Sequence, residues 1–459
     1  MAEGGKRFFA TAAWVNGEWA QDVLLTVGVD GLWAGIDANT PHEARAGATT
    51  LTGPVLPGLV NAHSHAFQRA IAGLTERSES QDDDFWSWRD RMYSAANRIT
   101  PGQLEAIAAF LYAELLQAGY THVCEFHYLH NDVGGAAYAD PMEMSLAIVR
   151  AAQRTGIGLT LLPTLYMRQG FAAKGLREDQ ARFASTPDSV MRIAQEIRAR
   201  ESAASNVTAG VALHSIRAVA RQQLRDVAAS AARMPIHIHI AEQRREIEDC
   251  VAEHGQRPIE WLLEHVGIDQ RWNLVHATHA TPRELDGVRE KGAAIVLCPT
   301  TEGNLGDGIF DLPSWLGRSG NWSIGSDSHV TRSWQEELRL LEYSQRLALR
   351  KRNVAASSAL SVSSAAALFQ GALHGGPAAA GVALGGLAVG QRADFSVIDT
   401  DSPSLAGVPR SHLLDAAIFS SPDARLRDVH VAGKAVPVAD PAIRGEFIAA
   451  MQALWARSR

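Results

Sequence analysis

Two histidines separated by a single residue, His63 and His65 in N-A-H-S-H, are the first group in this chain whose types and spacing could do chemistry. On a strand, alternate side chains point the same way, so both imidazoles face one side. Two neutral imidazoles on one face make half of a zinc site. His239 in P-I-H-I-H-I-A-E and Asp327 in I-G-S-D-S-H each fall at the end of another β-rich run. Three nitrogens and one carboxylate could then converge and leave a position open for water, whose pKa a divalent cation lowers toward neutrality.

The elements that must position them are legible as a repeat. Between residues 54 and 350, eight apolar β-rich runs alternate with stretches of helical period, at 55–65, 122–130, 158–167, 208–216, 235–242, 272–279, 293–301 and 321–329. Consecutive βα units of this kind predict an α/β fold, a closed (β/α)8 TIM barrel with its chemistry at the C-terminal strand ends. Strands one and eight are neighbours in such a barrel, which brings His63 and His65 beside Asp327. Residues 1–53 and 381–459 break the alternation and read as β. Neither is long enough for a comfortable core, so they are expected to pair into one small β-sandwich flanking a barrel of residues 54–380.

Composition narrows the class. The chain has 459 residues, 43 Lys+Arg against 50 Asp+Glu and a net charge of −7, with no basic stripe for nucleic acid. Three well-separated cysteines, Cys124, Cys250 and Cys298, argue for a reducing compartment, hence the cytoplasm. The N-terminus lacks the sustained apolar core of a signal peptide. Residues 353–391 carry no charge, yet Ser, Gly, Gln370, His374 and Pro377 interrupt any membrane span. A small-molecule substrate, with no nucleic acid or membrane partner, is expected.

The segments PGLVNAHSH, HIHIAE, LVHATH and GSDS, with ALGGLAVGQRADFSVIDT and VHVAGKAV near the C-terminus, resemble the amidohydrolase superfamily over nearly the whole chain. Because Lys174 and Lys291 lie outside the strand ends, no lysine is placed to bridge two metals. The resemblance thus implies a single ion, Zn2+ with Fe2+ or Mn2+ as alternatives, on His63, His65, His239 and Asp327. It also implies that Glu242 handles protons on a substrate nitrogen, as in deaminases. His276 would orient or polarise beside the water, and Asp327 would receive its proton. Blander readings stand beside these: Glu242 as an acid at a helix N-terminus, His276 and His237 as packed core histidines, and His279 as loop structure.

The longer stretches NAHSHAFQRAIAG, DDDFWSWRDRMY, CEFHYLHND and CPTTEGNLGDGIFDLPSWL resemble the formimidoylglutamate deiminase family. This resemblance implies hydrolysis of N-formimino-L-glutamate to N-formyl-L-glutamate and ammonia in histidine degradation, by a homodimer. The substrate's two carboxylates call for fixed cations. Arg217 and Arg89 are the implied carboxylate ligands, and Gln68, Tyr128 and His214 the implied hydrogen-bonding partners near the formimino end. His329 is expected to line the pocket, while Trp86 and Trp88 are expected to pack the loop or a subunit contact. The alternatives are a nucleobase or nucleoside aminohydrolase (guanine, adenosine-type or 8-oxoguanine deaminase) and a non-catalytic scaffold, for which so complete a ligand set has no use.

Overall fold

The computed structural model of the chain describes residues 5–77, 84–200, 206–358, 360–420, 423–437 and 439–456. Asp82 and Asp83 of the Trp-rich segment lie outside them. Eight parallel strands follow one another in order: Leu59–Ser64, Tyr120–His127, Gly158–Leu165, Val211–Ser215, Ile236–Ile240, Trp272–His276, Ala294–Leu297 and Trp322–Ile324. They are strands one to eight below. A parallel bridge between Ser64 and Asp327 closes the ring, giving the (β/α)8 barrel expected of the repeat.

Local chemistry explains most of the strand and helix limits. The run at 208–216 is split, with Val207–Ala209 pairing only with strand three. At the break, a Cβ on Gly210 would sit 2.6 Å from the Pro235 carbonyl oxygen. Helix Pro101–Gln117 opens with a Thr100/Gln103 capping box and Pro101 in its first turn, and Gly119 follows it at φ +94°. The segment expected as an extended loop is instead helix Phe85–Ala96, because Asp84 accepts from the amides of Trp86 and Ser87 while Ser87 reaches back to its amide.

The uncharged stretch contains helix Ser364–Ala380, mostly buried across strands one and eight. Its close approach depends on glycine: a Cβ at Gly375 would lie 1.8 Å from the Trp322 carbonyl oxygen. No helix among the described residues is long and apolar enough to cross a membrane.

The termini build a second, eight-stranded sheet around Phe8, Val23, Leu25, Trp33, Phe395 and Val397, consistent with the small β-sandwich expected beside the barrel. Two details differ from the sequence reading. The run at 55–65 divides at Gly58: Val55–Pro57 pairs with Phe395–Val397 in this sheet, and only Leu59–Ser64 enters the barrel. The segment after 381 is not all β, since Leu413–Phe419 and Pro441–Trp455 are helices. The latter has a cap that was readable, Asp440 followed by Pro441 at the first turn. It docks on helix Pro101–Gln117, Phe447 stacking on Phe110 at 4.2 Å.

Candidate metal centre and pocket

His63 lies one residue before the end of strand one, His65 begins the following turn, His239 lies near the end of strand five and Asp327 lies just beyond strand eight. Their side chains meet. His63 Nε2 is 3.1 Å from His65 Nε2 and 3.0 Å from His239 Nε2. Asp327 Oδ1 is 3.3 Å from His65 Nε2 and 3.5 Å from His63 Nε2. Ligands about 2.0–2.1 Å from one tetrahedral ion stand about 3.3 Å apart, so the spacing suits a zinc-like cation.

The protonation pattern agrees with that fit. His65 Nδ1 lies 2.9 Å from the Phe126 carbonyl and His239 Nδ1 lies 3.0 Å from the His214 carbonyl. A carbonyl only accepts, so both rings carry their proton on Nδ1 and turn the Nε2 lone pair into the cluster. Burial, ahead of the neighbouring imidazoles, pulls His63 and His239 well below the ordinary histidine range; burial also lowers His65. Neutral rings with lone pairs about 3 Å apart repel unless a cation lies among them.

Beside this cluster, His276 ends strand six. Its Nδ1 faces Glu302 Oε1 at 3.3 Å, and its Nε2 faces Glu242 at 3.6 Å and Asp327 at 3.7 Å. Burial pulls this imidazole down, but the carboxylates outweigh it and hold it at about 10. Burial pushes Glu242 up to about 7, with His276 opposing. Ala241, His276, Ala277, Asp327 and His329 all have positive φ without being glycine. Each such residue costs roughly 1–3 kcal/mol, and they gather where strand ends must turn side chains inward.

The pocket above the cluster is lined by His65, Gln68, Tyr128, His214, Arg217 and Arg89, with Glu242, His276 and Asp327 at its base. Gln68 Nε2 donates to the Tyr128 hydroxyl at 3.1 Å. The guanidiniums of Arg89, Arg245 and Arg217 lie 4.4, 5.0 and 5.4 Å from one Trp86 ring centroid. Buried Arg89 Nε and Arg217 Nη1 have no hydrogen-bond partner among the described residues. Three guanidiniums around one indole, two with unused N–H groups, give this mouth the chemistry to hold an anion.

Several residues sit differently from expectation. His329 does not line the pocket. It is completely buried behind the turn that carries the candidate ligands, with Nδ1 3.0 Å from Ser326 Oγ and Nε2 3.1 Å from the His65 carbonyl. The positive φ of Asp327 and His329 turns the chain so that only the aspartate faces outward into the site. Trp86 serves the guanidiniums at the mouth, and Trp88 lines the pocket. His237, by contrast, packs beneath the site as expected of a core histidine, Nε2 2.9 Å from the Ala379 carbonyl.

Sequence reading missed Glu302, on helix Pro299–Leu305, which holds His276 and accepts from the Cys298 amide at 2.9 Å. It also missed Asp307, which accepts from the Gln243 amide and approaches Glu242 and His276. Burial, then Glu242, raises that carboxyl to about 10. Both lie in CPTTEGNLGDGIFDLPSWL, where acids shortly past a strand were the available signal.

A closed parallel barrel carrying a histidine and carboxylate cluster at its C-terminal mouth defines the class of metal-dependent barrel hydrolases. The chain belongs to the amidohydrolase family, whose model matches residues 55–436. It is 48% identical over 427 residues to a formimidoylglutamate deiminase of Pseudomonas aeruginosa, covering 93% of each chain. A 5-methylthioadenosine/S-adenosylhomocysteine deaminase of Halobacterium salinarum is 28% identical over 79% of this chain and 77% of its own. Among solved structures, an amidohydrolase from Brucella melitensis superposes with a TM-score of 0.91 at 39% identity, covering 98% of this chain and 99% of its own.

Proposed function

We propose that this protein is a zinc-dependent deiminase that hydrolyses N-formimino-L-glutamate to N-formyl-L-glutamate and ammonia, a step of histidine degradation. The observation that carries the reading is the joining of two features in one pocket. A cluster fit for a cation forms its base, and unpaired guanidinium N–H groups of Arg217 and Arg89 form its mouth. The deiminase named for the Pseudomonas relative supports it, at 48% identity. A flat nucleobase offers those guanidiniums no carboxylate, which disfavours the aminohydrolase alternative.

His63, His65, His239 and Asp327 would hold the ion, and three imidazoles with one carboxylate suit zinc better than Fe2+ or Mn2+. A divalent cation there supplies Lewis acidity and eases the ionisation of water. Arg217 and Arg89 bind the carboxylates, and Gln68, Tyr128 and His214 orient the amidine. His276, held by Glu302 at Nδ1, presents its Nε2 edge toward the oxygen that gains charge. The departing nitrogen acquires both protons of the water consumed, so a relay is required. Asp327 takes the first proton and Glu242 delivers protons to nitrogen. A homodimer in the cytoplasm belongs to the same reading; the three cysteines are free and buried, as suits a reducing compartment.

The test is ammonia release by zinc-loaded protein from N-formimino-L-glutamate, run beside guanine, adenosine and cytosine. Turnover of the first alone is expected. Turnover of a nucleobase instead would transfer the site to the aminohydrolase reading.

A further inference from the structure

Beneath the metal-ligand cluster lies a buried carboxylate that the reaction does not use. Glu125, on strand two, is 1% exposed, and both of its oxygens are engaged by strand one and the turn that follows it. Oε1 accepts the backbone N–H of Ala66 at 2.6 Å, and Oε2 accepts the hydroxyl of Ser64 at 2.6 Å. A third donor, the Tyr112 hydroxyl on helix Pro101–Gln117, reaches Oε2 at 3.2 Å. Ser64 and Ala66 are the residues on either side of His65, and Ser64 also follows His63. One carboxylate therefore grips the backbone turn that aims two of the four candidate ligands.

The opposite side of the seam is held by a matching network. The Asn61 amide donates to Ser326 Oγ at 2.7 Å, and Asn61 Oδ1 accepts the Ser326 N–H at 2.9 Å. Ser326 Oγ in turn meets His329 Nδ1, while His329 Nε2 reaches the His65 carbonyl. Asp327 stands between Ser326 and His329, so its turn is tied to the same stretch of strand one. The two networks approach each other where Ser64 Oγ lies 3.5 Å from His329 Nε2.

We infer that Glu125 is a positioning residue for the metal centre: through the Ser64 hydroxyl and the Ala66 amide it fixes the turn that presents His63 and His65, as Asn61, Ser326 and His329 fix that of Asp327. A carboxylate suits this place because all three contacts are donated to it, on two oxygens. In the Glu125→Gln variant one oxygen becomes an NH2: facing the Ala66 N–H it meets donor to donor, and facing Ser64 and Tyr112 it forces both hydroxyls to turn and accept, so that their own protons lose the acceptor they have in the wild type. Partners that orient ligands typically change metal affinity by roughly 10- to 100-fold when removed.

The inference rests on the metal-centre reading above, and its test separates the two. Protein stripped with chelator is reloaded with Co2+, and the visible ligand-field spectrum is recorded with the zinc affinity by competition, for wild type, Glu125→Gln and Ser64→Ala. A wild type that binds neither ion overturns the metal-centre reading itself. With normal wild-type loading, Glu125→Gln is expected to bind zinc roughly 10- to 100-fold more weakly, with altered cobalt bands. Ser64→Ala, which removes one of the three donors, is expected to shift the same bands less. A Glu125→Gln protein with lowered Tm but wild-type spectrum and affinity would show that Glu125 only supports the fold. If Glu125→Gln does not fold, Ser64→Ala decides alone, and unchanged bands and affinity in it overturn the inference.

Discussion

The backbone N–H of Asp327 donates to the carbonyl of His63 at 3.0 Å, and the N–H of His65 donates to the carbonyl of Asp327 at 3.3 Å. Three of the four side chains of the candidate metal centre thus belong to the residues that close the barrel, and His239 alone comes from elsewhere, on strand five. A cation among those side chains would fasten the seam from the other side, coupling metal binding to barrel closure.

Removing the metal should therefore lower stability as well as activity. At a thousandfold excess of free ion over its Kd, binding to the native state contributes about 4 kcal/mol. Thermal unfolding with and without chelator should show a clear fall in Tm, restored by zinc. An unmoved Tm would separate the seam from the metal.

Glu242→Gln keeps the shape of the pocket and leaves the four ligand side chains untouched. Metal content is expected to stay at one ion per chain while kcat falls by roughly 100-fold or more, the usual contribution of a positioned proton-transfer group. Wild-type turnover in this variant would remove Glu242 from the relay.

Arg217→Ala deletes a guanidinium at the pocket mouth with an unused N–H. A hydrogen bond between charged groups contributes about 1.5–3 kcal/mol, so KM for a dicarboxylate substrate should rise roughly 10- to 100-fold with a smaller change in kcat. Steady-state kinetics that leave KM in place would dismiss the anion clamp.

Acid should destabilise the protein through histidines far from the reaction. His130 is buried, donates from Nε2 to the Thr164 carbonyl at 2.8 Å, and is lowered to about 4, chiefly by burial. Its unfolded value is near 6.5, so above that pH neither state is charged and it contributes nothing. As pH falls from about 6.5 to about 4, the unfolded chain takes up a proton that the native state refuses, costing up to about 3 kcal/mol. His130→Gln, which keeps a donor, should lose less Tm than wild type between pH 7 and pH 5.

How far the sequence reaches is visible in particular residues. The barrel was readable because strand and helix periods are local, and because alternate residues of a strand must share a face. His63 and His65 followed from that rule alone. His239 and Asp327 followed from standing at the ends of other β runs, and His276 from the family resemblance. Helix Phe85–Ala96 was missed although Asp84 caps it, since three acids and two tryptophans read as a loop.

What the tertiary structure alone decided is which way the chain turns after each strand and what lies across from it. Asp327 and His329 share one motif and the left-handed backbone region, yet one faces the site and the other is buried behind it. Glu125, Glu302 and Asp307 look like ordinary acids in the sequence; burial and distant partners make one a brace for the metal-ligand turn and set the other two against His276 and Glu242. Trp86 became the platform for three guanidiniums only when helix Phe85–Ala96 was laid across the barrel mouth. Residue type and period act over a few positions and so determined the scaffold and the candidate ligand set. Orientation, burial and charge pairing join residues hundreds of positions apart, as in Asn61 and Ser326 at a separation of 265, and exist only once the barrel has closed.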